Sequence, residues 1–150
     1  MAEILELRDT SDEKLEELLE DRREELFNFR FQRASGRLED YTHLKRVRRE
    51  IAQIETVLHQ RWLAVELAAQ SPEVAAKLAG QEWTGTARFQ YRNPDEPHED
   101  DNAWAVQFKD KGGKELATAI VNLNAARPQG RRARAKKQDP KVVKLYGAAA

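Results

Sequence analysis

The sequence contains no cysteine. That absence excludes a disulfide framework, a thiolate zinc site and a cysteine nucleophile, and it fits a reducing compartment. Histidine is scarce as well, with only His43, His59 and His98 in 150 residues. There is no Gly-rich phosphate loop, metal-binding helix motif or nucleophile elbow. Ser11, Ser35 and Ser71 stand where helix ends are expected. The pattern therefore predicts no catalytic residues, no cofactor and no small-molecule substrate. No apolar run approaches the roughly 18 residues that a membrane helix needs. The opening MAEILELRDT lacks the basic start and apolar stretch of a signal peptide. The expectation is a soluble cytoplasmic protein with no membrane partner.

Net charge is also missing, but its absence hides a segregation. Residues 1–70 hold 12 Lys and Arg against 16 Asp and Glu, and residues 71–126 hold 6 against 9. Residues 127–150 hold 8 against 1. A basic tail seeks polyanions whatever the rest of the chain does.

The apolar pattern predicts two long helices. Thr10 and Glu13 have the spacing of a capping box ahead of an acidic first turn. Leu15, Leu18, Leu19, Leu26 and Phe29 then recur at helical spacing, and Gly36 is placed to close the helix in a left-handed conformation. After a polar turn a second helix starts near Thr42. Its stripe reads Leu44, Val47, Ile51, Ile54, Leu58, Trp62, Val65, with alternating spacings of three and four as in a coiled-coil seam. Two such helices joined by a short turn pack antiparallel. The second runs to about Ala69, and a short helix over Pro72–Leu78 follows, with proline in its first turn.

Beyond Gly80 the period changes. WTGTARFQY reads as a strand with Trp83, Ala87, Phe89 and Tyr91 on one face. AWAVQFK reads as a second, with Trp104, Val106 and Phe108 sharing a face, and DKGGKE as a hairpin turn. ELATAIVNL fits a third strand, with a short helix as competitor over 115–123. The loop PDEPHEDD, which includes His98, has carboxylates but nothing to fix them around a cation, so a solvated loop without metal is expected. From Arg127 onward the chain has almost nothing to bury. The predicted architecture is mainly α. A coiled-coil-like antiparallel two-helix hairpin spans 1–70, a small antiparallel β meander spans 71–126, and a basic disordered tail spans 127–150.

Two groups of residues suggest binding. At about 100° per residue, Lys45, Arg48 and Arg49 fall on one flank of the second helix, with the small Ala52 among them. Such a flank lets a phosphate backbone approach closely and bond with little base readout. The competing reading is a solvated face that pairs with Glu50 and Glu55. The stretch FNFRFQRASGRLED poses the second case. If Leu26 and Phe29 face the partner helix, Phe27 and Phe31 lie one turn apart on another face, near Arg23 and Arg30. They then need a further apolar partner: the chain's own C-terminal half, a second protein, or unstacked bases. In the tail, Arg131, Arg132, Arg134, Lys136 and Lys137 are candidates to neutralise phosphates on ordering against RNA. A tail that does nothing specific is the alternative.

Several of these residues fall into a longer pattern. ELR at Glu6–Arg8 precedes an acidic helix headed by Ser11. Leu26 and Phe27 follow, with Arg30 three residues later and an Ala34-Ser35-Gly36 turn. Then come Leu44-Lys45, the adjacent Arg48 and Arg49, and the pair Ile51-Ala52. In order and spacing, residues 6–61 resemble the bacterial large-subunit ribosomal protein L-twenty-nine family. Asp40 and Tyr41 depart from that pattern at the start of the second helix, as does Arg37 where glutamine commonly follows the turn glycine.

The resemblance implies a structural constituent of the large ribosomal subunit that binds large-subunit ribosomal RNA near the polypeptide exit tunnel. It implies ribosomal protein L-twenty-three as a neighbour, in a region that receives exit-site chaperones and targeting factors. On this reading Lys45, Arg48 and Arg49 bond phosphates, and Phe27, Arg30 and Phe31 form an outward contact surface. The alternative is a protein–protein adaptor: a coiled coil displaying a β module that never meets RNA. The acidic first helix suits that reading, and an enzyme is a distant third.

Overall fold

The structure is a computed structural model, and it describes residues 4–91, 102–123 and 141–147, the last of these as backbone only. The chain divides into two compact units, Met1–His59 and Gln60–Ala150. The division falls within the second long helix, ahead of the boundary after residue 70 expected from the sequence.

In the first unit, helix α1 spans Ile4–Asp9, α2 spans Asp12–Ala34 and α3 begins at Thr42. The period gave no warning of α1, which is too short to show one; its Leu7 is buried. The N-cap position of α2 falls on Ser11 and not on Thr10. Thr10 instead donates its hydroxyl to the Glu6 carbonyl at 2.7 Å, closing α1, and Ser11 takes the N-cap position of α2 without a side-chain cap bond. The C-terminus of α2 is closed as expected. Gly36 has φ +70°, its N–H bonds the Arg33 carbonyl, and the Arg37 N–H reaches back to Gln32. That pair of bonds is a Schellman motif, which satisfies two carbonyls the helix would otherwise strand.

Contacts between α2 and α3 run in opposite chain directions. Phe29 stacks on His43 with centroids 5.7 Å apart, Arg22 Nε lies 3.3 Å from Glu50 Oε2, and Arg23 bonds Glu55 at 2.8 Å. An antiparallel hairpin produces this ordering. Leu15, Leu19, Leu44, Val47, Ile54 and Val57 are its buried apolar residues, together with Leu38 from the turn.

Helix α3 continues to Gln70. Its buried stripe departs from the expected one after Ile54, passing through Val57, Arg61, Ala64 and Ala68, while Trp62 is 58% exposed. The bulk of Leu58 and Trp62 suggests a seam one position further round than the one that forms. The small residues Ala64 and Ala68 are both fully buried.

In the second unit, α4 spans Pro72–Leu78, with Pro72 in its first turn and Val74 and Leu78 buried, and it contacts β3. Strands β1 (Trp83–Gln90), β2 (Ala103–Asp110), β3 (Glu115–Asn122) and β4 (Lys141–Gly147) form one antiparallel sheet in the order β1-β2-β3-β4. The segment that could have been strand or helix is therefore strand, paired on both sides. The β2–β3 hairpin turns at Asp110–Lys114 with Gly113 at φ +79°.

One face of the sheet carries the predicted alternation. Phe89 opposes Trp104 in the register and meets it edge to face at 5.1 Å; Trp83 meets Phe108 at 5.2 Å. Trp104, Val106 and Phe108 are almost wholly buried, each worth about 1.5–3 kcal/mol in transfer from water. Gly85 lies on this face beside Val65 of α3.

The fourth strand corrects the expectation of an unbroken disordered tail over 127–150. VVKLY alternates weakly and lies in basic surroundings, so composition hid a segment whose backbone pairs along β3 from Asn122 to Ala117. The remainder of that stretch, 127–140 and 148–150, lies outside the described residues, as does the acidic loop over 92–101.

Candidate nucleic-acid interface

Two backbone devices set the geometry at the turn end of the hairpin, where α2 gives way to α3. The Schellman turn fixes where α2 stops. Asp40 then starts α3, its carboxylate accepting the Thr42 N–H at 2.8 Å and the Thr42 hydroxyl at 2.7 Å. These bonds, the hydroxyl's first, hold the Asp40 carboxyl below the ordinary aspartate range, since both favour the charged form.

From that start, Tyr41, Lys45, Arg48 and Ala52 follow at spacings of four, three and four, which places them on one face of α3. Arg49 lies beside them, and Arg33 comes from the last turn of α2. With Leu44 these residues line a concavity of about 500 Å³. Leu44 is 7% exposed, so the apolar part of the lining belongs to the packed seam. The Arg33 guanidinium lies 5.9 Å from the centroid of the Tyr41 ring, within range of a cation–π contact.

The lining holds four cations and no carboxylate. Glu50 and Glu55, the carboxylates expected to neutralise this flank, are engaged by Arg22 and Arg23 instead. Among the described residues Lys45, Arg48 and Arg49 form no ion pair. Such a cluster repels itself and gains from an anion that bridges its members.

Lys45, Arg48 and Arg49 are thus brought together with Ala52, as the helical spacing predicts. Phe27, Arg30 and Phe31 are absent from this lining. The two phenylalanines are each 67% exposed, and Arg30 is exposed beside them. Phe29 turns inward to His43, so the alternation in FNFRF separates one seam ring from two surface rings. The tail candidates Arg131, Arg132, Arg134, Lys136 and Lys137 lie outside the described residues, as do His98 and its neighbouring carboxylates. Among the described residues no cluster of His, Asp and Glu could hold a metal ion, and no helix is long and apolar enough to cross a membrane.

Sequence reasoning missed Arg33 and Tyr41. The interval from Tyr41 to Lys45, Arg48 and Ala52 would have revealed the tyrosine. Nothing in the spacing reveals Arg33, because its proximity depends on the turn between the helices.

The family model described as Ribosomal L29 protein matches residues 5–61. The chain is similar to the large ribosomal subunit protein uL29 of Streptomyces griseus, 49% identical over 61 residues, which cover 41% of this chain and 82% of that protein. It is 52% identical over 60 residues to uL29 of Mycobacterium tuberculosis, covering 40% and 78%, and 42% identical over 71 residues to that of Saccharopolyspora erythraea, covering 47% and 89%. No solved structure matches the chain.

Proposed function

Because this chain belongs to the ribosomal L29 protein family and is thereby a structural constituent of the large ribosomal subunit, we propose that it holds its place there by gripping ribosomal RNA. The grip is the concavity at the turn end of the hairpin, where Lys45, Arg48 and Arg49 bond phosphates of large-subunit ribosomal RNA. The observation that carries this reading is the set of cations left without carboxylate partners while Glu50 and Glu55 pair elsewhere. Helix surfaces normally interleave charges of both signs; a one-sign cluster beside a small residue suits a polyanion.

The proposal extends to a position near the polypeptide exit tunnel, beside ribosomal protein L-twenty-three, where exit-site chaperones and targeting factors arrive. Phe27, Arg30 and Phe31 supply the outward surface for RNA or for that neighbouring protein, since exposed aromatic and arginine groups dominate many contact surfaces. The basic residues Arg131, Arg132, Arg134, Lys136 and Lys137 add phosphate contacts from the tail.

The test is charge reversal at all three α3 cations, K45E/R48E/R49E, in the full chain. All three are exposed, so far-UV circular dichroism should be unchanged. The variant should fail to cosediment with large subunits. Loss of three phosphate contacts should also lower the slope of log affinity against log salt by about 2 on single-stranded RNA. Cosedimentation equal to the wild type at raised salt would refute the proposal and leave the adaptor reading in its place.

A further inference from the structure

Tyr41 is unexplained by phosphate binding. It is a large aromatic side chain, 60% exposed, at the point where the chain enters α3. It buries little and so adds little to the hairpin's stability. Its surroundings are nevertheless built. Asp40 anchors the first turn of α3 through two bonds to Thr42, which fixes the backbone next to the ring. Arg33 reaches it from the other helix. Lys45 and Arg49 follow four and eight residues later, about 6 Å and about 12 Å along the helix axis.

We infer that Tyr41 is a stacking platform for one unpaired RNA nucleotide, with the concavity around it receiving the base and Lys45, Arg48 and Arg49 holding the flanking phosphates. This rests on the RNA-binding reading above and adds the kind of RNA: a bulge, loop or single strand rather than a regular duplex. Three observations converge on it. A base needs a flat apolar surface, and the ring is the one exposed aromatic in the lining. A cavity of about 500 Å³ is within the range that takes a small planar ligand. The cations occupy one side of the ring along the helix, so a strand crossing Tyr41 meets positive charge as it leaves the base. A paired base keeps its faces inside the duplex stack and cannot use the tyrosine; a splayed one can.

The experiment measures binding of the full chain to three RNA probes: an oligoadenylate of eight nucleotides, the same strand with abasic riboses, and a duplex with equal phosphate number. The proteins are the wild type, Tyr41→Ala, Tyr41→Phe and K45E/R48E/R49E. The wild type should prefer oligoadenylate to both other probes. Tyr41→Ala should weaken oligoadenylate binding roughly 5-fold to 150-fold and leave the abasic strand unaffected. Tyr41→Phe, which keeps the ring face, should retain the preference.

Tyr41→Ala that loses affinity for both strands alike, or for neither, overturns the platform, as does a wild type that binds duplex as tightly as oligoadenylate. Unchanged RNA binding by Tyr41→Ala, with weakened association to intact subunits, would assign the ring to a protein neighbour and also overturn it. In each of these cases the phosphate grip survives if K45E/R48E/R49E still loses affinity. If that variant binds every probe normally, the RNA-binding reading falls, and the platform with it.

Discussion

Replacing Gly85 with alanine tests how closely α3 and β1 approach. A Cβ added at Gly85 would lie 2.5 Å from Val65 Cγ1, 3.3 Å from Phe108 Cε1 and 3.4 Å from Val65 Cγ2. Carbon atoms rest at about 3.5–4.0 Å, so the first contact falls short by roughly 1 Å. Valine is stiff at its first side-chain torsion, which makes swinging the methyl aside costly, and Phe108 is fully buried. Gly85 has no left-handed backbone, so sterics alone set the cost. Overpacking of this kind costs about 1–3 kcal/mol. Removing a strand glycine returns about 0.5–1 kcal/mol. Taking the middle of each range, the expected net loss is about 1 kcal/mol.

The assay is urea unfolding followed by tryptophan fluorescence, to which the buried Trp104 contributes. The decisive comparison is the double variant Gly85→Ala/Val65→Ala, in which the offending methyls are gone. It should be more stable than the sum of the single losses by about 1 kcal/mol or more, because the two sites are in contact. A Gly85→Ala protein as stable as the wild type would refute the close approach. So would strict additivity of the two changes.

Two further predictions concern the hairpin. Leu15 is fully buried in α2, so Leu15→Ala should cost about 2–5 kcal/mol in thermal or urea unfolding followed by helical circular dichroism, whereas the exposed neighbour Lys14→Ala should stay within about 0.5 kcal/mol. Asp40 is more acidic folded than unfolded, so its bonds to Thr42 contribute stability above the unfolded value, and that contribution disappears as pH falls through the folded one. An amide titration should show the Thr42 N–H changing with a midpoint below the ordinary aspartate value of about 3.9.

Where the sequence could be read, one local signal dominated. Helix α3 begins at Thr42 and α4 spans Pro72–Leu78, as polar and proline signals indicate. Trp104, Val106 and Phe108 share the buried face that alternation indicates, and Gly36 closes α2 where a left-handed residue is needed. The cationic flank was legible because Lys45, Arg48 and Arg49 sit on a single helix. What failed depended on distant partners. Val57 and Arg61 replaced Leu58 and Trp62 in the buried stripe, because burial along a long helix follows what packs against it and not residue bulk alone. Thr10 went to α1 because a six-residue helix leaves no period to detect. The pairing of β4 belongs to β3 as much as to its own residues, and the role of Arg33 is set by the turn that returns it toward Tyr41.

Strand order in the sheet equals chain order, and that governs how the second unit comes into being. Each strand finds its neighbour already made, so pairing can advance step by step while the chain is still being synthesised, with no early strand waiting on a late one. The last addition is marginal to the rest: a product stopping short of Lys141 keeps the β1–β2 and β2–β3 ladders intact and merely bares the flank of β3. Premature termination there would create an adhesive border rather than a collapsed sheet.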